Sequence, residues 1–181
     1  MKILGIVGSP RRGANTETLV GAVLAGAAAK GAQTETIRLS DIKFEGCRGC
    51  MHCRSHESCA VKDGMQDVYR AIEAADKVVI GSPIYMFQMS SQTKTFMDRL
   101  FRYLNPDYSA RIHKDTALVF AQSGEDIEAF RPYIDLVSRA YSMLGFRVAA
   151  TVVGGGTNEV GGIAKDSAAM ARARAAGAAF A

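Results

Sequence analysis

The chain has 181 residues, of which 48% are apolar, enough for one domain of ordinary size with a real core. Its net charge is +4 with the basic residues spread along the chain, which describes a mildly basic surface and argues against nucleic-acid binding. No run of about 18 apolar residues occurs, so no membrane span is expected, and in the cytoplasmic setting this implies four thiols read as metal ligands or redox groups before disulfides.

Lys2 to Val7 is a short apolar run stopped by Gly8-Ser9-Pro10, the pattern of a buried strand. Asn15 and Thr16 are placed to cap a helix with apolar positions Leu19, Val20, Val23, Leu24 and Ala27, ending near Lys30-Gly31. Arg11-Arg12 ahead of Leu19 to Ala29 imitates a twin-arginine export signal, but the strand-like run before it makes strand, loop and helix the better reading. Thr34 to Leu39 alternates as a second strand. Residues 40–64 then lack any period and contain every cysteine of the chain. A loop that long in a compact domain points to function or disorder, and four cysteines in thirteen positions argue against disorder.

Met65 to Ala75 has a helical pattern, and Lys77 to Ile80, followed by Gly81-Ser82-Pro83, reads as a third buried strand. Ser91 to Tyr103 is a helix whose apolar side is Thr93, Phe96, Met97, Leu100 and Phe101. Thr116 to Ala121 is a fourth strand, Ile127 to Leu144 a long amphipathic helix and Arg147 to Val153 a fifth strand. An Ala-rich helix, roughly Ala164 to Ala176, closes the chain. Short apolar strands alternating with helices predict a parallel sheet covered on both faces. Residues 1–181 are thus expected to form a single α/β domain, a flavodoxin-like three-layer sandwich with a five-stranded sheet in the order 2-1-3-4-5. The switch point of that order falls between the first and third strands, so the ligand site is expected at the loops 8–16 and 82–90.

The first of these loops is built for an anion. Small residues allow close approach of backbone N–H groups, Ser9 and Thr16 add hydroxyls, a helix starts at Asn15, and Arg11 supplies a fork suited to phosphate. Gly8 and Gly13 have the spacing of a nucleotide-binding P-loop, but Ala14-Asn15 stands where that loop needs Lys-Ser/Thr, so an NTPase is poorly supported. The dinucleotide fingerprint is absent too, leaving a site for a terminal phosphate. The second loop, with Pro83, Ile84, Tyr85, Met86 and Phe87, offers apolar and aromatic contacts for a flat ring, and Ser123-Gly124 is a candidate third wall.

Cys47, Cys50, Cys53 and Cys59 follow the spacing C-x2-C-x2-C-x5-C. Structural zinc usually takes two separated pairs, whereas thiolates crowded at two-residue intervals resemble iron–sulfur ligation. With no fifth cysteine, all four must serve one centre, which favours a single [4Fe–4S] cluster over zinc or free thiols. His52 and His56 in the same loop read as solvent-facing.

The phosphate-type loop, the compact cysteine motif and Gly81-Ser82-Pro83-Ile84-Tyr85 together resemble the iron–sulfur flavoproteins, a branch of the NADPH-dependent FMN reductase group. That resemblance implies FMN phosphate held by Ser9, Arg11, Asn15 and Thr16, an isoalloxazine ring against residues 83–87, and a [4Fe–4S] cluster on the four thiols. It further implies a homodimer or homotetramer that moves electrons from ferredoxin or NAD(P)H to a small acceptor such as an oxygen species or a quinone. The alternatives are a cluster-free NAD(P)H-dependent FMN or quinone reductase and a non-catalytic electron carrier or redox sensor. No constellation in the sequence demands a general acid or base.

Overall fold

A computed structural model describes residues 1–181. The elements in chain order are β1 (Lys2–Val7), α1 (Asn15–Ala28), β2 (Gln33–Arg38), the one-turn α2 (His52–Ser55), α3 (Met65–Ala74), β3 (Lys77–Tyr85), the two-residue β4 (Gln88–Met89), α4 (Ser91–Arg99), β5 (Lys114–Ala121), α5 (Arg131–Met143), β6 (Phe146–Gly154) and α6 (Ser167–Phe180). The long strands pair in parallel in the order β2-β1-β3-β5-β6, and β4 turns back antiparallel on β3. Counting only the parallel strands, this is the expected flavodoxin-like order. No helix is long and apolar enough to cross a membrane.

Side chains alternate between two cores. Leu4, Ile6, Val78, Ile80, Leu118 and Phe120 face the side covered by α3, α4 and α5. Ile3, Val7, Val79, Ala117, Val119 and Ala121 face α1 and α6. That second face is lined with small residues because its helices come close: a Cβ on Gly81 would meet Val20 Cγ2 at 2.4 Å. Glycines on the two helices allow α1 and α6 to touch as well, since a Cβ on Gly177 would meet the Val23 carbonyl oxygen at 1.8 Å.

Several boundaries depart from the sequence expectation, each for a local reason. β2 ends one residue earlier than expected, because Leu39 leaves the strand in a 3-10 turn (Leu39–Asp41) and buries itself in the core. β3 runs past Ile80 to Tyr85 although Gly-Ser-Pro reads as a stop. β1 makes its last pairing opposite Gly81, whereas β5 continues alongside to Pro83, so the proline lies where one neighbour has already ended. α5 begins at Arg131 with Pro132 in its first turn, not at Ile127. α6 begins at Ser167, capped by the Asp166 carboxylate accepting from the Ala169 N–H, after a separate 3-10 turn at Gly162–Lys165.

Candidate functional site

The carboxyl ends of β1, β3, β5 and β6 converge on a cleft of about 360 Å³, within the size range of small-molecule sites. It is lined by Ser9, Arg11, Ala14, Asn15 and Thr16 from the first loop, Pro83, Ile84, Tyr85 and Met86 from the second, and Gln122-Ser123 after β5. Thr157-Asn158, beyond β6, complete it. A groove of about 480 Å³ along the outer edge of β6 is larger, but it is the open border of the sheet.

The helix that meets this cleft is not capped by its own side chains. Ala14 occupies the N-cap of α1 with no side-chain bond, so the N–H groups of the first turn lack an internal acceptor. Asn15 does not cap, contrary to expectation. Its Nδ2 donates to the Thr157 carbonyl (3.0 Å) and its Oδ1 accepts from the Ile163 N–H (3.1 Å), tying the first loop to the segment after β6. Arg11 makes a parallel tie, its Nη2 donating to the Asn158 carbonyl at 3.1 Å. Ser9 Oγ accepts from the Arg11 N–H at 3.2 Å and shapes the turn. Glu17 sits behind this loop. Burial works against its charged form, but its bonds from Arg38 and the Gly13 N–H outweigh that and hold its pKa below the ordinary carboxylate value.

The two principal loops are bolted together below the cleft. Ser90 Oγ donates to the Gly8 carbonyl (2.6 Å), Ser82 Oγ accepts from the Ser90 N–H (3.1 Å), and Thr93 Oγ1 lies 3.0 Å from Ser82 Oγ. All three side chains are buried. Gly8 is obligatory here, because a Cβ would meet Thr93 Oγ1 at 1.8 Å.

The second loop is a tight hairpin whose central residues, Met86 (φ 46) and Phe87 (φ 68), both adopt the left-handed conformation usually given to Asn-Gly. Tyr85 and Met86 line the cleft. Phe87 stands outside this lining, its ring lying edge-on to Phe130 at 5.7 Å. Gly124 is also outside the lining and instead accepts from the Gly156 N–H at 2.9 Å. Gln122, which the sequence reading missed, is buried with Nε2 donating to the Asp126 carbonyl (2.6 Å) and Oε1 left without a partner.

The four cysteines line a second, separate concavity together with Gly49, Met51, Ala60, Val61, Phe101 and three arginines, Arg48, Arg99 and Arg102. Left-handed Gly49 (φ 61) and Met51 (φ 59) bend the chain between the first three thiols, and α2 carries Cys53. Cys47 and Cys50 are exposed and Cys53 and Cys59 half-buried. Burial and then the neighbouring thiols, Cys59 first, push the Cys53 thiol above its ordinary value, as expected when several sulfurs share one site. No three His, Cys, Asp or Glu side chains are grouped as one metal ion would require. His52 and His56 stack on each other at 3.9 Å, away from the thiol-lined surface. Arginines fasten the loop to its surroundings: Arg111 donates to the Cys53 carbonyl (2.8 Å), Arg102 to that of Glu57 (2.7 Å), and Arg54 reaches out to that of Pro106 (3.0 Å).

The chain thus presents a cleft with an uncapped helix start and an arginine beside apolar and aromatic side chains, and a separate cationic, partly apolar thiol site. Residues 1–159 match the family described as NADPH-dependent FMN reductase. Among curated proteins, the chain is 38% identical over 99 residues to an iron-sulfur flavoprotein of Methanosarcina thermophila, covering 55% of this chain and 52% of that one. It is 30% identical over 157 residues to an iron-sulfur flavoprotein of Archaeoglobus fulgidus, covering 86% of this chain and 71% of the relative. The match thus spans about half the length of the Methanosarcina protein. Among solved structures, NAD(P)H:quinone oxidoreductase from Methanothermobacter marburgensis superposes with a TM-score of 0.72 at 17% identity, over 98% of this chain and 94% of that one, a likeness of fold.

Proposed function

Because the chain belongs to the NADPH-dependent FMN reductase family, we propose that this flavin-dependent oxidoreductase is an iron–sulfur flavoprotein with FMN in the cleft and one [4Fe–4S] cluster on Cys47, Cys50, Cys53 and Cys59. Residues 1–181 are read as one domain carrying both sites. The observation that carries the reading is the gathering of all four thiols around one arginine-walled concavity, in a fold of the FMN reductase family.

The residues fit both groups. A tetrahedral zinc site would draw its thiolates to within about 4 Å of one another, given Zn–S bonds near 2.3 Å. A cubane takes four thiolates that need not meet at one ion, and four thiols border this concavity. Arg48, Arg99 and Arg102 supply positive charge against four thiolates. In the cleft, the uncapped start of α1 and Arg11 suit a phosphate, and the unpartnered Oε1 of Gln122 awaits a donor such as a ribityl hydroxyl or a ring N–H.

When bound, the cluster supplies one-electron chemistry and FMN couples it to two-electron chemistry. The chain's own part is to bind, orient and screen. Ser9, Arg11, Asn15, Thr16 and the first N–H groups of α1 form the phosphate end. Pro83, Ile84, Tyr85, Met86 and Ser123 border the ring. Ferredoxin or NAD(P)H is the proposed donor, an oxygen species or quinone-like compound the acceptor, and a homodimer or homotetramer the working form.

Iron, sulfide and flavin quantification on protein prepared without oxygen tests the reading. About four irons and four sulfides per chain with one FMN are expected. Flavin without iron or sulfide would overturn the cluster assignment and leave a cluster-free reductase.

A further inference from the structure

The neck of the cysteine loop closes on one side chain. Arg99, the last residue of α4, is fully buried. Its Nη1 donates to the Glu45 carbonyl (2.7 Å) and to Asp63 Oδ2 (2.7 Å). Its Nη2 donates to the Val61 carbonyl (3.2 Å) and to Asp63 Oδ1 (3.0 Å). Asp63 also accepts from the backbone N–H groups of Glu45 (2.9 Å) and Met65 (3.0 Å). Glu45 lies just before the first thiol and Val61 just after the last. The thiol-bearing segment is therefore tied off at its base by a forked ion pair, with no strand pairing there.

One donor of this fork is unused. Arg99 Nε–H is buried and has no partner, although Arg99 lines the same concavity as all four thiols. A buried donor left open costs free energy and calls for an acceptor that arrives later. A buried ion pair is also a poor way to gain stability compared with an apolar replacement, so a role beyond stapling is indicated.

We propose that Arg99 is a positioning residue of the thiol site: its fork with Asp63 closes the loop before iron binds, and its Nε–H then donates to sulfur of the bound cluster. The second half rests on the cluster reading above. Hydrogen bonds to sulfur and nearby positive charge both favour the more negative, reduced form, so Arg99 raises the cluster's potential.

Arg99→Lys and Asp63→Asn in the full chain separate the two halves. Amide hydrogen exchange on the iron-free protein reads the clamp, and EPR-monitored potentiometry after anaerobic reconstitution reads the hydrogen bond. Lysine keeps the charge but loses both the fork and Nε. Exchange at Glu45, Arg54, His56 and Gly64 should rise at least tenfold, with β1 amides and FMN binding unchanged. The one-electron reduction equilibrium should shift at least tenfold toward the oxidised cluster, a fall of about 59 mV. Asp63→Asn keeps Nε, so exchange should rise with a smaller shift in potential. Unchanged exchange in both variants overturns the clamp, and an unchanged potential in fully loaded Arg99→Lys overturns the hydrogen bond. Should Arg99→Lys fail to fold, judged by circular dichroism and FMN binding, the exchange readout on Asp63→Asn decides the clamp, and pulsed EPR of the reduced wild-type cluster with 15N-labelled arginine decides the hydrogen bond, the lack of any arginine 15N coupling overturning it. A wild-type protein that takes up no iron overturns the cluster reading and the sulfur bond with it, while the exchange comparison still decides the clamp.

Discussion

In the cleft, order comes from the sheet: four strand ends aim their loops at one place, and the Ser82–Ser90–Thr93 network fixes those loops to the Gly8 carbonyl. In the cysteine loop no strand reaches the thiols, and arginines from α4, from the turn after it and from the segment before β5 fasten the loop through its carbonyl oxygens. A site built on strand ends inherits the precision of the fold. A site built on a loop must import its precision as charged hydrogen bonds, which are individually stronger but fail together when one partner is lost.

The largest break in this comparison is Cys50→Ala. Iron should fall to background on reconstitution while FMN remains at the wild-type ratio, since the two sites share no lining residue. Iron retained at the original ratio would show that the thiols do not act as one ligand set.

Next in size is Asp63→Ala, which leaves the Arg99 guanidinium buried and unpaired, at a cost of about 3 kcal/mol or more in denaturant unfolding. The matching deletion in the cleft, Ser90→Ala, removes a neutral hydroxyl and should cost only about 1–2 kcal/mol. Equal costs would erase the distinction between the two sites. Acid provides a second handle. Burial opposes the Asp63 carboxylate, but the Arg99 fork and two backbone donors prevail and set its pKa below the ordinary value. A depressed folded value means that its contribution is whole above the unfolded pKa, near 3.9, and is lost as pH falls through the folded one. The stability gap between wild type and Asp63→Asn should hold steady from about pH 8 to 5, begin to narrow below about pH 4, and close once pH has fallen through the folded value. A gap that persists there would contradict the ion pair.

Arg11→Ala probes the cleft alone. Only FMN carries a phosphate, so its binding should weaken about tenfold or more, roughly 1.4 kcal/mol, with riboflavin almost unaffected. Equal weakening of the two flavins would remove Arg11 from the phosphate end.

The same contrast explains what could be read from the sequence. Five apolar runs and the turn residues after them specify the sheet order, and the sheet order places the cleft, so Ser9, Arg11, Thr16, Pro83 and Tyr85 were all legible. The cysteines were legible by spacing alone. The contacts that hold each site were not. Arg99 ends an amphipathic helix and resembles any solvent-facing terminal arginine, while its partners lie at Glu45, Val61 and Asp63. Gln122 and Thr157-Asn158 enter the cleft through loop paths that no periodicity encodes, although Gly154-Gly155-Gly156 at the end of the last strand marks a close approach: a Cβ on Gly155 would meet the Gly124 carbonyl at 2.2 Å. A composition rich in aromatics likewise says nothing about which side of a two-residue turn each ring takes, and Phe87 packs against Phe130 outside the cleft lining.

That turn supplies the smallest and most discriminating effect. Met86 is 88% exposed at φ 46, and left-handed backbone costs a residue with a Cβ about 1 kcal/mol more than a residue suited to it. Asparagine tolerates this conformation, so Met86→Asn should stabilise the protein by about 0.5–1 kcal/mol, a rise of roughly 1–4 °C in Tm for a chain of this size. Phe87 is a poorer test, because relief of its strain would be offset by loss of its contact with Phe130. If the strained residue is kept for its place on the cleft wall, the more stable Met86→Asn protein should bind FMN and riboflavin more weakly by the same small factor, since both carry the ring. A gain in stability with no loss for either flavin would show that the cleft takes none of its binding from the Met86 side chain, and that the strain of this turn serves no ligand.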